Sequence, residues 1–139
     1  MSTLFLKGEE QFGLGEIDWV DDDIKLTYMS TSYTPDVDTE NFYADISASA
    51  ASGLSVETLA NKTATIDTAN NRVAYDADDA AQGPVSGMTN KYVLWKDTGS
   101  PTTSPLIACI DLTDGTVNVV ASTLTTTFNA AGIFARNVA

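Results

Sequence analysis

Histidine is missing from all 139 residues, and cysteine occurs once, at Cys109. The first absence removes Ser-His and Cys-His nucleophile pairs, histidine-bound metals, and the side chain most used to move protons near neutral pH. The second leaves no partner for an intramolecular disulfide. Cys109 stands within Leu106-Ile107-Ala108-Cys109-Ile110, which marks it as a small apolar core residue rather than a reactive thiol. A lone cysteine also fits manufacture in a reducing cytoplasm.

Basic residues are scarce as well. Seven Lys and Arg stand against nineteen Asp and Glu, a formal charge of −12. Lys7, Lys25, Lys62, Arg72, Lys91, Lys96 and Arg136 are scattered singly, whereas a nucleic-acid interface clusters its cations. So acidic a chain repels phosphate backbones and anionic lipid headgroups, and no nucleic-acid partner is expected. Apolar runs fall short of the roughly 20 residues that span a bilayer. The Met1-Ser2-Thr3-Leu4-Phe5 start has no basic region, and Glu9 and Glu10 break up the stretch after it. Neither a signal peptide nor a membrane partner is expected. Cofactor fingerprints are lacking too: Gly13-Leu14-Gly15 follows a helical pattern instead of a strand, and there is no phosphate-binding loop. The expectation is a protein that is not an enzyme, with no catalytic residues, no cofactor and no metal.

What remains is the content of one domain, spanning residues 1–139. Phe5, Glu9 and Phe12 recur at helical spacing, with Thr3 at the start and Gly13 and Gly15 at the end. Residues 1–15 are therefore an N-terminal arm and short helix, and residues 16–139 a β domain. In residues 24–28 Ile24, Leu26 and Tyr28 face one way, Lys25 and Thr27 the other, as in a strand with one wet face. Asp21-Asp22-Asp23 reads as a solvated turn, residues 34–39 as a loop, and residues 41–51 as either a helical turn or an irregular strand. A hairpin is expected from residues 58–67 and 72–77 about Asn70-Asn71, with Ile66, Val73 and Tyr75 supplying the apolar alternation. Further strands are expected at residues 91–96, 106–112, 117–120, 123–128 and 133–138. Thr and Ser make up 30 of the residues and suit wet strand faces. Short strands with frequent turns, and no helical linkers, predict a mainly β fold: an antiparallel β-sandwich or small barrel with a short N-terminal helix.

Candidate sites are few. Asp36, Asp38 and Glu40, and Asp76, Asp78 and Asp79, are oxygen-rich stretches of the kind that hold calcium, but neither has the glycine and glutamate of an EF-hand loop. Both read better as solvated turns. Nineteen acids in so short a chain also make a carboxylate pair at glycosidase spacing a matter of chance. Aromatic residues are the candidate interface: Phe5, Phe12, Trp19, Tyr33 and Tyr43. Trp95, in Tyr92-Val93-Leu94-Trp95, is assigned to a central strand and the core, while Trp19, between Asp18 and Val20-Asp21, is assigned to an interface.

Several blocks carry a resemblance over nearly the whole chain: Phe12-Gly13-Leu14-Gly15-Glu16-Ile17-Asp18, Tyr33-Thr34-Pro35-Asp36, Ala74-Tyr75-Asp76-Ala77-Asp78-Asp79, Lys96-Asp97-Thr98-Gly99, Thr103-Ser104-Pro105-Leu106-Ile107 and Phe128-Asn129-Ala130-Ala131-Gly132-Ile133-Phe134. Together they resemble a family of small virion structural proteins of tailed bacteriophages. Residues 80–85 depart from that pattern in being less aromatic. The resemblance implies a β-rich particle component, made in the host cytoplasm and located in the virion. The preferred expectation is a capsid decoration, or cement, protein that binds the major capsid protein or other virion proteins on the outer face of the head, as a trimer or dimer. Two alternatives stand beside it, a neck, tail or fibre component and a carbohydrate-binding adhesion domain that uses exposed aromatics.

Overall fold

A computed structural model describes residues 2–137. In chain order its strands are β1 (Ser2–Leu4), β2 (Ile24–Met29), β3 (Glu57–Thr58), β4 (Thr63–Asp67), β5 (Arg72–Asp76), β6 (Ala80–Thr89), β7 (Lys91–Lys96), β8 (Leu106–Asp111), β9 (Val117–Thr126) and β10 (Phe134–Asn137). Helix α1 is Leu6–Gly13, and α2 is Tyr43–Ile46, which runs into a 3-10 turn at Ser47–Ser49. The fold is mainly β and antiparallel, as the composition predicts.

Strands β2, β7 and β8 are dense in β-branched and aromatic residues and form the middle of a five-stranded sheet of order β1-β8-β7-β2-β3. Ile24, Leu26, Tyr28, Tyr92, Leu94 and Ile110 belong to one hydrophobic cluster, and Met29, Val93, Trp95 and Cys109 to another. Alternation along each strand sends these two sets to opposite faces, so the sheet is buried on both sides. That corrects the expectation of a wet face carrying Thr27. Thr27 is buried, and its Oγ1 accepts a 2.9 Å hydrogen bond from Trp95 Nε1. The unforeseen cover comes from the connection after β2, which lays Tyr33, Val37, Tyr43 and Ile46 over the second face.

The other face packs against a second β layer, made of a three-stranded sheet of order β10-β5-β4 and a two-stranded ribbon of β6 and β9. Residues 58–67 are not the single strand the hairpin reading expects. Asn61 takes a positive φ of 51° and turns the chain from one layer to the other, so that Thr58 pairs with Lys25 and Thr63 with Asp76. The β4–β5 hairpin does close where expected, with Asn71 at φ 51° and Asp67 opposite Arg72. Ile66, however, is 77% exposed on its tip and supplies no core face. The two strands expected at residues 117–120 and 123–128 are likewise one, β9, which ends at Thr126. Ala121 (φ 47°) kinks it without ending it, because β6 pairs along its length.

The N-terminal segment differs from a free arm. β1 pairs with β8, setting Thr3 opposite Cys109, so Thr3 does not cap the helix. Phe5 takes the N-cap position with no side-chain cap bond and donates its backbone N–H to Ile107 O at 3.0 Å. Gly8 explains itself by contact: a Cβ there would lie 2.6 Å from Leu106 O and 2.9 Å from Ile107 Cα. At the far end of the chain Arg136 of β10 forms a two-pronged ion pair with Glu9 of α1, at 2.9 Å and 3.0 Å.

Candidate functional site

A groove of about 670 Å³ opens beside β9. One wall comes from β9, another from Ser2 of β1 and Asp111 of β8, and the floor from buried side chains that include Tyr92, Ile110, Val119, Leu124 and Phe128. All residues from Ser122 through Phe128 border it without a gap. A strand that turned a side-chain face to a groove would contribute only every second residue. Here it is the edge of β9 that runs along the opening.

No described strand lies beside that edge. Among the described residues β9 pairs with β6 alone. The opposite edge of the ribbon is closed by the segment before β3: Ser55 donates its N–H to Gln82 Oε1 and accepts from Gln82 Nε2, each at 2.8 Å. Gly53 presses so near β6 that an added Cβ would sit 1.9 Å from Ser86 O. One side of the two-stranded layer is thus in contact with residues 53–55, and no described strand lies along the other. Beneath it the ribbon is fastened to the large sheet through Tyr28, whose hydroxyl contacts Thr126 Oγ1 and donates to Glu57 Oε2 at 3.0 Å. Burial holds the Tyr28 and Tyr92 hydroxyls well above the ordinary phenol range, so both stay protonated and act as hydrogen-bonding and packing groups.

Among the described residues the charged side chains that line the groove are Asp111 and Asp114, with no Lys or Arg. Its walls are otherwise hydroxyls and amides, among them Thr113, Asn118, Thr123 and Thr125. An apolar floor, a strand edge with no described strand beside it, and an acidic end are means of holding an extended polypeptide.

None of the five candidate interface aromatics lies on this groove, and most are interior. Trp19 is only 3% exposed and donates Nε1–H to Asp76 O at 3.1 Å. It packs edge-on against Phe134 and Tyr75, with Phe12 completing the group under the Arg136 guanidinium. Phe5 and Tyr33 are buried in the cluster on the sheet's second face, where the Tyr33 hydroxyl donates to Glu40 at 2.7 Å. Tyr43 is half-buried and stacks on Trp95 with ring centres 4.0 Å apart. Flanking aspartates made Trp19 look exposed, but they serve a turn: Asp18 Oδ1 accepts from the N–H groups of Val20 and Asp21, both at 3.1 Å. Sequence reasoning missed the groove's own residues. Their one local sign is the run Ser122-Thr123-Leu124-Thr125-Thr126-Thr127, too polar to mark a core and too regular to mark a loop.

Several carboxylates of the acidic stretches act as clamps. Asp36 Oδ1 accepts from the backbone of Asp38 and Thr39, Glu40 from Tyr33 and Asp36 N–H, and Asp79 from Phe128 N–H. Asp22 and Asp23 of the presumed solvated run pair with Lys96 at 2.9 Å and Lys25 at 3.3 Å. Among the described residues no three acidic or cysteine side chains converge to hold a metal ion. A smaller cleft of about 230 Å³ lies on the outer side of β4 and β5, between Asp67, Asp76 and the 130–132 loop. Cys109 is buried, and burial pushes its thiol up to about 12, so it is no nucleophile. No family model, curated protein or solved structure matches the chain.

Proposed function

We propose that this chain is an assembly component that works by contact, in its specific form a decoration (cement) protein on the outer face of a phage head. The observation that carries the reading is the open edge of β9 above an apolar-floored groove. Exposed strand edges are places where another chain adds on. The block resemblance given above supplies the particle. The charge of −12 supports a place away from packaged DNA.

Such a protein acts by mass action. Binding the expanded shell and not its separated subunits, it stabilises the assembled state by an amount set by its affinity and free concentration. Durable attachment takes roughly 800 Å² buried per partner, more than one strand edge provides. The remaining area falls to contacts between copies, as a trimer or dimer, or to a second contact with the major capsid protein. The adhesion alternative rested on exposed aromatics, and the exposed large hydrophobic side chains of the described residues are all aliphatic or methionine.

The test compares particles made with and without the chain. Loss of resistance to heat or pressure in its absence, regained when purified protein is added back, is the expected result. Shells of unchanged resistance would remove the cementing role. A copy number of a single ring, in place of one matching the capsid lattice, would move the protein to the neck or tail.

A further inference from the structure

We infer that the groove takes an extended segment of a different polypeptide, flanked by lysine or arginine, as an added strand along β9. The inference rests on the contact-based reading above and specifies what the contact is. Three features select the occupant. Ser122 through Thr126 of β9 and the two residues after it border the groove without a gap, as a strand edge that offers backbone would, and another extended backbone is what answers such an edge. Val119, Leu124, Ile110 and Tyr92 form a floor that receives every second side chain of such a strand, leaving the alternate ones in solvent.

Charge decides the sign of the partner. Among the described residues the lining carries Asp114, exposed in the turn before β9, and no Lys or Arg, within a chain of −12. Lipid headgroups and nucleic acids of the same sign are repelled. A second copy is disfavoured as well, since pairing β9 with its own equivalent brings two strongly acidic domains together with no Lys or Arg among the described lining residues to offset them. A segment with basic flanks gains at the Asp114 end and from the overall field.

The experiment uses the whole chain and a fluorescent peptide of about ten residues, the length of a long strand, with alternating valine and threonine and lysines at both ends. A second peptide carries glutamates in place of the lysines. Anisotropy should show the lysine-flanked peptide binding and the glutamate-flanked one failing, with hydrogen exchange slowed at β9 amides. Asp114 lies in a turn outside the strands, so Asp114→Lys leaves the fold intact. It should weaken the lysine-flanked peptide by roughly fivefold at low salt, and the loss should shrink as salt rises. Protection confined to other strands, equal binding of both peptides, or concentration-dependent self-association that protects β9 would each overturn the assignment, the last by showing a second copy as the occupant. A chain that still protects particles from heat yet ignores the lysine-flanked peptide would keep its proposed function and lose this occupant.

Discussion

Thr27 stands opposite Val93 and hydrogen-bonds Trp95 on the diagonal of the same sheet face, a neighbour relation that brings long side chains within reach. Replacing it with valine keeps the shape and removes the acceptor, leaving a buried indole N–H without a partner. Thr27→Val should destabilise the chain by about 1–3 kcal/mol, read as a lower urea midpoint with unchanged slope. Trp19 makes the same point about burial. As an interface residue it could be truncated with little effect on the isolated chain, whereas as a core residue packed on Tyr75 and Phe134 it should cost about 3–5 kcal/mol when changed to alanine. Thermal melting of Trp19→Ala separates the two, and a melting temperature within a degree or so of the parent would show that Trp19 is not part of the core.

Among the elements, α1 depends on how closely it lies on β8. Gly8 meets backbone atoms of Leu106 and Ile107, which have no rotamer to move aside. Gly8→Ala, a change that favours an isolated helix, should instead lower stability by about 1–3 kcal/mol; a gain in the urea midpoint would show that the helix stands further off. The same two elements show what the sequence makes legible. Local patterns suffice for β2, β7, β8 and the β4–β5 turn, because apolar and β-branched runs and an Asn pair act over a few residues. They do not reveal that the connection after β2 covers the second sheet face, since that depends on Tyr33, Tyr43 and Ile46 arriving from a distance. Strand β6 escapes notice because Gly83, Pro84 and Gly87 carry the signature of a loop, and only its pairing with β9 makes it a strand. The groove is illegible for a related reason: it is bounded by an edge, and an edge is defined by which strand is not beside it.

For the whole molecule, the groups that respond to pH point to alkali. Burial raises Cys109 from its ordinary 9.0 to about 12, and raises Tyr28, Tyr33 and Tyr92 above their ordinary 10.0. All four are acids whose neutral form the fold favours, so the unfolded chain loses their protons first. Their contribution is complete below pH 9 and should fall away as pH climbs through about 12, so the urea midpoint should drop across that interval. A flat profile there would mean that these groups are wetter than the packing shows. On the acid side the lowered carboxyls of Glu10 and Asp36 are surface groups, and protonating them should have little effect, while Asp67, half-buried, is held low by its bonds to Asn70 and Arg72. This robustness suits a domain whose proposed work is to hold a place in a larger structure through one open edge. The most direct test is electron cryo-microscopy of the intact particle from a host that makes this chain. The domain should occupy the outer face at the copy number of the capsid lattice, with an extended segment of a neighbouring protein lying along β9. Mature particles that lack the chain altogether would contradict the account.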